Sequence, residues 1–381
     1  MPDLRTFDRR RALLLGVALL VLLLTFTHPV RVGLLALAVL PSAIGSLPVD
    51  PLVQLTAKPS RESFAFEYAA GTVEGDVYSP GRAGRHGALI LILGARPLDR
   101  EDPTLVRFAE GLSRIGLVVL IPASSGLAAG RIVIEEVDAV VREVDLLRAR
   151  PDVDPARIGL LGFSVGGSVA IQAAADPRLD GRLVLVNAFG GYHDATDLVR
   201  AAATRSLAYA GVDQAWEPHS LTLWVIARQL VDTLPDPRDR DVLDRLYLQE
   251  DQSARDEVDS MTPVGRAALG LLDGLPPAEA EAALAQMPPA TIARLQGISP
   301  ARVIERLTTR LFIMHDYGDH FVPYTESRRM AAKAPATVLE RYAEFDLFDH
   351  VMPNRLPTDL HFYVELGRLF RHLYGVLLYV L

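Results

Sequence analysis

Short apolar runs alternate with amphipathic stretches along most of this chain. Residues 88–93 (ALILIL) are apolar without a break, which is typical of a strand covered on both faces of a sheet. Residues 132–148 instead carry apolar positions at the spacing of one helix face. Because segments of the two kinds follow one another in turn, the pattern predicts an α/β fold with a doubly wound, mostly parallel sheet.

The same pattern locates the individual elements. Strands are predicted at residues 64–68, 73–78, 88–93, 117–121, 157–161, 183–187, 310–314 and 337–342. Helices are predicted at residues 103–115, 132–148, 324–334 and 359–374, with one more that follows Ser164 and ends at Asp176. The first two strands lie on either side of Gly71, so we expect them to form an opening hairpin.

The alternation stops between residues 195 and 306. Helical patterns and proline-rich breaks fill this segment, and it contains no strand pattern. We therefore expect a helical insertion at 195–306 that divides the α/β domain into residues 63–194 and 307–381. A separate helical domain of unrelated function is the alternative.

The first 50 residues have a different character. Three arginines at positions 9–11 precede residues 12–30, which include no formally charged side chain and would span about 28 Å as a helix. We predict a membrane anchor here, with a cleaved signal peptide and a buried soluble helix as alternatives. A second uncharged segment at 32–49 is interrupted by Pro41, Gly45 and Pro48. Whether it spans the bilayer, lies at its surface or forms an apolar stem is left open.

The placement of the α/β domain depends on the number of spans. The basic N-terminus is expected to stay in the cytoplasm. We expect one span, because a single-residue turn between two spans is hard to form and the second segment is interrupted, and the domain would then lie outside the cytoplasm. With two spans it would be cytoplasmic. Residues 51–62 are expected to link the N-terminal segment to the domain.

The composition narrows the functional classes. A net charge of −8 over 381 residues, with no basic cluster beyond the N-terminus, argues against a nucleic-acid partner. The absence of cysteine excludes disulfides and thiolate metal sites. No helical H-E-x-x-H pattern occurs and no G-x-G-x-x-G loop opens the first βα unit, so we expect neither a metal nor another cofactor.

The strongest candidate for chemistry is Ser164, in the sequence Gly162-Phe163-Ser164-Val165-Gly166. An apolar strand precedes it and a helix-prone segment follows it, which is the context of a nucleophile elbow. The two glycines would let strand and helix approach, and the hydroxyl would point away from the sheet. The N–H of Val165, at the start of the helix, is then a candidate donor to an oxyanion.

Residues 152–167 (DVDPARIGLLGFSVGG) resemble the elbow region of α/β-hydrolases, in particular the dienelactone-hydrolase-like and serine-peptidase-like branches. The resemblance runs from about residue 64 to about residue 370 and leaves the middle of the chain unmatched. It implies an α/β-hydrolase fold with a Ser–His–acid triad, in the chain order serine, acid, histidine. It also implies that the insertion is a cap over the active site, where we expect it to set the range of substrates.

The resemblance indicates the acid of the triad. Residues 315–323 (HDYGDHFVP) are similar to the family's H-G-x-x-D-x-x-V-P segment, which puts the acid at Asp319. Asp316 stands where the family has glycine and is a rival candidate. Asp194, on the loop after the preceding strand, is a third.

The resemblance also indicates the base and the second oxyanion donor. His350 follows the strand at 337–342 by a short loop, where the family places its catalytic histidine, and His320 and His361 are the other candidates. Residues 93–96 (LGAR) occupy the family's oxyanion loop. The N–H of Ala95 is the expected donor, with Gly94 and Arg96 as alternatives.

Together these features predict a membrane-anchored serine hydrolase that cleaves carboxylic esters or related acyl compounds through an acyl-enzyme. Its expected partners are a small acyl substrate and the lipid bilayer. An acyltransferase or a peptidase with the same triad, or a non-catalytic protein whose insertion binds a partner, are the alternatives.

Overall fold

The computed structural model describes residues 14, 16, 27–44, 50–95, 100–353 and 360–381. The strands are β1 (Ser60–Tyr68), β2 (Gly71–Ser79), β3 (His86–Ile92), β4 (Val118–Ser124), β5 (Val153–Phe163), β6 (Leu185–Phe189), β7 (Ser206–Tyr209), β8 (Val212–Ala215), β9 (Arg310–Asp316), β10 (Leu339–Phe345), β11 (Phe348–Asp349) and β12 (Met352–Pro353). The α-helices are α1 (His28–Ile44), α2 (Pro51–Leu55), α3 (Pro103–Arg114), α4 (Ser125–Ala128), α5 (Glu136–Ala149), α6 (Val165–Ala174), α7 (Ala195–Thr204), α8 (Ser220–Val231), α9 (Pro237–Leu243), α10 (Pro263–Asp273), α11 (Pro277–Ala285), α12 (Pro289–Gly297), α13 (Tyr324–Lys333) and α14 (Leu360–Val380).

The centre of the fold is an eight-stranded sheet in the order β1-β2-β4-β3-β5-β6-β9-β10. β1 and β2 form the expected hairpin, and β2 also runs antiparallel to β4. Every later neighbour in the order is parallel. The prediction of a doubly wound, mostly parallel sheet is therefore confirmed.

Both faces of the sheet are covered, which explains the unbroken apolar strands. On β3 the side chain of Ile90 packs into one buried cluster, whereas Leu89 and Leu91 pack into the other. Helices α5 and α6 cover the first face, and helices α1, α3 and α14 cover the second. Full burial of a leucine or isoleucine side chain stabilises the fold by about 1.5–3 kcal/mol, so each such strand is held strongly from both sides.

The insertion consists of α7 to α12, a π-helical turn at Asp244–Leu248, a 3-10 helix at Gln252–Ser260, shorter 3-10 turns and one small hairpin. Strands β7 and β8 pair with each other at Ser206–Tyr209 and Val212–Ala215. The expectation of no strand in this segment is therefore wrong. Apolar side chains of the insertion, such as Leu230 and Leu269, belong to the same buried cluster as the strands of the sheet. The insertion is thus packed onto the α/β domain.

The second apolar segment of the N-terminus folds against the domain. Residues 28–44 form α1 with Pro41 inside it, and Val32, Ala36 and Val39 are buried against α3 and α14. The expected linker at 51–62 contains α2 and the start of β1. Within the described residues, no helix combines the length and the apolar character that crossing a bilayer requires. Most of the predicted anchor at 12–30 lies outside the described residues.

The C-terminal helix is longer than its pattern predicted. The expected end was residue 374, whereas α14 continues to Val380. Val376, Leu377 and Val380 are all buried in the cluster on the second face. The apolar tail therefore belongs to the core.

Candidate active site

Ser164 lies at the turn between β5 and α6 with a strained backbone. Its φ of 55° and ψ of −132° are values that an L-residue rarely adopts. Its N–H donates to the carbonyl of Phe189 on the adjacent strand at 2.7 Å, which holds the turn in place. This is the geometry of a nucleophile elbow.

The two flanking glycines are required by close contacts. A Cβ on Gly162 would lie 2.2 Å from the carbonyl oxygen of Gly166, and a Cβ on Gly166 would lie 2.2 Å from the carbonyl oxygen of Ile92. Only glycine lets α6 start this close to the ends of β3 and β5. The spacing of the motif is therefore explained by packing around Ser164.

Asp319 is buried on the loop after β9 and uses both carboxylate oxygens. Oδ1 accepts the N–H groups of Phe321 at 2.7 Å and Val322 at 3.0 Å. Oδ2 lies 2.6 Å from Nδ1 of His350 and 3.0 Å from Nε2 of His315. Burial alone would raise the pKa of Asp319, but the charge of His350 and the hydrogen bonds from both histidines hold it well below its usual range.

Asp316, the rival acid, has a different task. Its Oδ2 accepts the N–H groups of Leu347 at 2.9 Å and Phe348 at 2.8 Å, and its Oδ1 accepts that of Gly318 at 3.0 Å. Burial raises its pKa, against the effect of these backbone hydrogen bonds. None of its hydrogen bonds within the described residues goes to a histidine. Asp316 therefore fixes the loop between β10 and β11.

His350 occupies the turn between β11 and β12. Because Asp349 pairs with Met352, His350 is the first of two turn residues, and its φ of 59° is one that glycine usually supplies there. Its ring stacks on that of Phe321 with 4.8 Å between the centroids. Nδ1 donates to Asp319, and Nε2 has no hydrogen-bond partner among the described residues. Within the described residues, Nε2 is therefore not bonded to the hydroxyl of Ser164 either, and the two residues share only the lining of one cavity.

The other candidates for base and acid lie apart from this arrangement. His320 is exposed, with Nδ1 bonded to the carbonyl of Glu217 at 3.1 Å. His361 is also exposed and lies 3.1 Å from Asp346. Asp194 caps α7, where it accepts the N–H of Thr196 at 2.7 Å.

His315 was not expected at the site. It is fully buried, and its Nε2 reaches both Asp319 and the carbonyl of Val322, at 3.0 and 2.9 Å. Its Nδ1 accepts a hydrogen bond from the hydroxyl of Ser327 at 2.5 Å. The position was visible in the sequence as the first residue of the acid segment, but nothing in the pattern indicated that its ring turns back onto Asp319.

The expected oxyanion loop lies directly against the elbow. A Cβ on Gly94 would be 2.8 Å from the Cβ of Ser164, so the loop passes Ser164 too closely for any residue with a side chain. Ala95 is buried beside it, while Arg96 lies outside the described residues. Val165 is the first residue of α6, and an N–H at that position has no acceptor inside the helix. The N–H groups of Ala95 and Val165 remain the candidate donors.

Ser164 and His350 line one cavity of about 370 Å³. The cavity extends between the sheet and the helices of its second face, where Leu161, Leu105 and Leu373 form part of its wall. From the insertion at 195–306, Leu221 is the one described residue that lines it. This result does not support the expectation that the insertion sets the substrate range.

The insertion instead holds the loop that carries the acid. The indole N–H of Trp216 donates to the carbonyl of Asp319 at 2.9 Å, and the hydroxyl of Thr222 donates to that of Phe321 at 2.8 Å. The ring of His219 stacks on Phe321, the same ring that stacks on His350, with 4.1 Å between the centroids of His219 and Phe321. These contacts fix the carboxylate and the imidazole relative to each other.

Comparison with known proteins identifies the fold. No protein-family model and no curated protein matches the chain. Among solved structures it is similar to 2,6-dihydroxy-pseudo-oxynicotine hydrolase, with 16% identity, a TM-score of 0.50, and coverage of 85% of this chain and 69% of that one. It is also similar to puromycin hydrolase, with 12% identity, a TM-score of 0.50, and coverage of 87% of this chain and 40% of that one.

The chain therefore spans less than half of the second protein. At these identities the similarity concerns the fold, and the expected architecture is confirmed: the chain has the α/β-hydrolase fold with a mostly parallel sheet.

Proposed function

We propose that this protein is a serine hydrolase of carboxylic esters or related acyl compounds. The observation that carries the proposal is the Nδ1–Oδ2 hydrogen bond of 2.6 Å between His350 and Asp319, with Ser164 on the same cavity. Ser164 is the proposed nucleophile, His350 the base and Asp319 the residue that orients it.

The reaction follows from these positions. Oγ of Ser164 attacks the carbonyl carbon of the substrate while Nε2 of His350 takes the hydroxyl proton. The N–H groups of Val165 and Ala95 stabilise the oxyanion. The proton then passes from Nε2 to the leaving alcohol, and an acyl-enzyme remains. Water, deprotonated by the same nitrogen, attacks the acyl-enzyme and releases the carboxylic acid.

The lining of the cavity favours an ester with an apolar acyl group over a peptide. Its walls beside Ser164 come largely from leucine, phenylalanine and methionine side chains such as Leu93, Phe189 and Met314. A peptide chain in such a space would leave its amide groups without partners, at a cost of about 1–3 kcal/mol for each buried group. An acyl chain carries no such groups.

A fluorophosphonate probe tests the proposal. We expect the purified protein to be labelled at one site, and Ser164→Ala to lose both labelling and turnover of a short p-nitrophenyl ester at an unchanged melting temperature. Ser168→Ala, four residues further along α6, is the matched control and should still be labelled. Labelling of another serine, or none in the folded wild-type protein, would refute the proposal.

We further propose that the protein is attached to a membrane by residues 12–30, with the catalytic domain outside the cytoplasm. The uncharged sequence supports the anchor. The packing of α1 on the domain supports a single span, because residues 32–44 are then used for folding. The exposed side chains of Leu34 and Leu37 give α1 an apolar outer side.

Two measurements test this attachment. A reporter fused after Lys58 should show phosphatase activity if one span precedes it, and fluorescence of a cytoplasm-only reporter would mean two spans. Release of the intact protein from membranes by carbonate would refute the anchor.

A further inference from the structure

A polar pair is buried in the apolar wall of the cavity. Nε2 of His372, on α14, donates to Oδ1 of Asn187, on β6, at 2.6 Å, and both residues line the cavity. Asn187 is 3% exposed and His372 2% exposed. Around them the rings of Phe312 and Phe345 meet the imidazole edge-on, with centroids 5.8 and 6.3 Å away.

Each residue of the pair has a nitrogen atom that makes no hydrogen bond within the described residues. Burial, together with the positive charge of Arg341, lowers the pKa of His372 to about 3, so the imidazole is neutral. Since its proton is on Nε2, its Nδ1 is an acceptor, and this atom has no partner within the described part of the chain. Within the described residues, the one hydrogen bond of the Asn187 side chain is that at Oδ1, and Asn187 lines the cavity. A buried polar atom without a partner, such as Nδ1 of His372, destabilises the fold, so a pair of apolar residues would serve packing alone better.

The pair lies at a defined depth from the nucleophile. Asn187 is paired in the sheet with Leu161, which precedes Ser164 by three residues on β5. At about 3.3 Å per residue, this places Asn187 roughly 10 Å below the elbow along the strand direction. The cavity wall between Ser164 and Asn187 is apolar and includes Leu161 and Phe189.

We propose that the cavity binds the acyl chain of the substrate and that Asn187 recognises an oxygen atom carried by this chain about 10 Å from the ester carbonyl. The amide N–H of Asn187 donates to a hydroxyl or keto oxygen, and His372 fixes the amide by holding its Oδ1. The preferred substrates are therefore esters of oxygenated acids. This proposal rests on the proposed hydrolase function and names its substrate class.

The selectivity follows from the cost of unpaired groups. A plain alkyl chain would fill the cavity but exclude water from Asn187 and leave its N–H groups unpaired. Sites built to bond a substrate oxygen discriminate strongly against analogues that lack it. A keto group can only accept, so equal preference for keto and hydroxy chains would identify Asn187 as the donor. Preference for the hydroxy chain alone would require a hydrogen-bond acceptor in the wall and would overturn the assignment to Asn187.

Wild-type kinetics provide the first test. p-Nitrophenyl esters of one chain length are compared, either plain or with a single hydroxyl or keto group at successive carbons. We expect kcat/KM to peak at one position, at least about tenfold above the plain chain, for both groups. A plain chain that is hydrolysed as fast as every oxygenated isomer would refute the proposal. Labelling by the fluorophosphonate probe in the same sample keeps this failure distinct from failure of the hydrolase function.

Variants of the pair provide the second test. In Asn187→Leu the ratio of oxygenated to plain kcat/KM should fall to near one, and in His372→Phe it should fall part of the way. In Leu377→Met, a matched change at a buried position of α14 that does not line the cavity, the ratio should stay at the wild-type value. Because each ratio is taken within one variant, a general loss of activity does not affect it. An unchanged ratio in Asn187→Leu would refute the proposal, and Asn187→Ser repeats the test if the leucine variant does not fold.

Discussion

Nε2 of His315 lies 3.0 Å from Oδ2 of Asp319, the same oxygen that accepts the hydrogen bond of the catalytic-base candidate. The acid is thus held between two imidazoles, and the second one has its own support from Ser327. From this arrangement we predict that His315 is a positioning residue that acts through Asp319. The pH dependence of kcat/KM can distinguish this positioning role from a purely structural one.

We expect His315→Phe to lower kcat about 10- to 100-fold with little change in KM, a range in keeping with the loss of a supporting hydrogen bond. Loss of the donor raises the pKa of Asp319, so the acidic limb of kcat/KM should move to higher pH. His315→Gln, whose amide can still donate, should recover part of both effects. An unshifted pH profile at reduced activity would mean that His315 is structural only.

The three candidate histidines should differ sharply. His350→Ala should lower kcat by about 10³-fold or more, since only the oxyanion donors and substrate binding would remain. His320→Ala and His361→Ala should stay within about tenfold of wild type, a barrier change below ~1.4 kcal/mol, because both are exposed. Steady-state kinetics on a short ester compares the three. If His361→Ala lowered kcat as much as His350→Ala, His361 would be the catalytic base instead.

Substitution of Asp319 should mainly lower activity, whereas substitution of Asp316 should mainly lower stability. Asp319→Asn should lower kcat by about 10³- to 10⁴-fold, as expected when the base loses its orienting carboxylate. Asp316→Asn should act mainly on folding, because its amide nitrogen would face N–H groups that the carboxylate now accepts, at a cost of about 1–3 kcal/mol. Kinetics and thermal melting on both variants make the comparison. The opposite ranking in activity would mean that Asp316 is the acid.

Glu143 on α5 should make stability fall with rising pH. Burial, helped by the charge of Glu136, raises its pKa to about 8, and its Oε2 has no partner within the described residues. The folded state therefore keeps a proton that the unfolded state releases above the ordinary glutamate pKa of 4.5. This contribution is complete below pH 4.5 and is lost as pH rises to about 8, with a slope of at most ~1.4 kcal/mol per pH unit.

Denaturant unfolding between pH 5 and 9 checks this prediction. Glu143→Gln should flatten the decline, whereas Asp145→Asn, an exposed change on the same helix, should leave it as in wild type. Parallel curves for wild type and Glu143→Gln would contradict the assignment.

The parts of the site that the sequence predicted are those encoded locally. Ser164 is recognisable because its strand, turn and helix are consecutive, and Asp319 and His350 follow strands at short distances. The bond between Asn187 and His372 joins residues 185 positions apart and exists only because α14 packs on β6, so no local pattern indicates it. The hairpin β7–β8 was missed because its four-residue strands carry no clear apolar alternation. Pro41 removes one helical hydrogen bond from α1, but Val39 and Leu40 are buried in the core and stabilise the helix by packing.

The position of α1 has a practical consequence for anyone who shortens the chain. The first 50 residues are largely apolar, and segments of this kind are often deleted to obtain a protein that can be purified without detergent. Such a deletion would remove Val32, Ala36 and Val39 from α3 and α14 and take away Ala43, which lines the cavity. A form beginning at residue 51 would thus expose a strip of core to solvent and would be a poor reference for both stability and acyl preference. A deletion that stops before His28 would keep this helix in place.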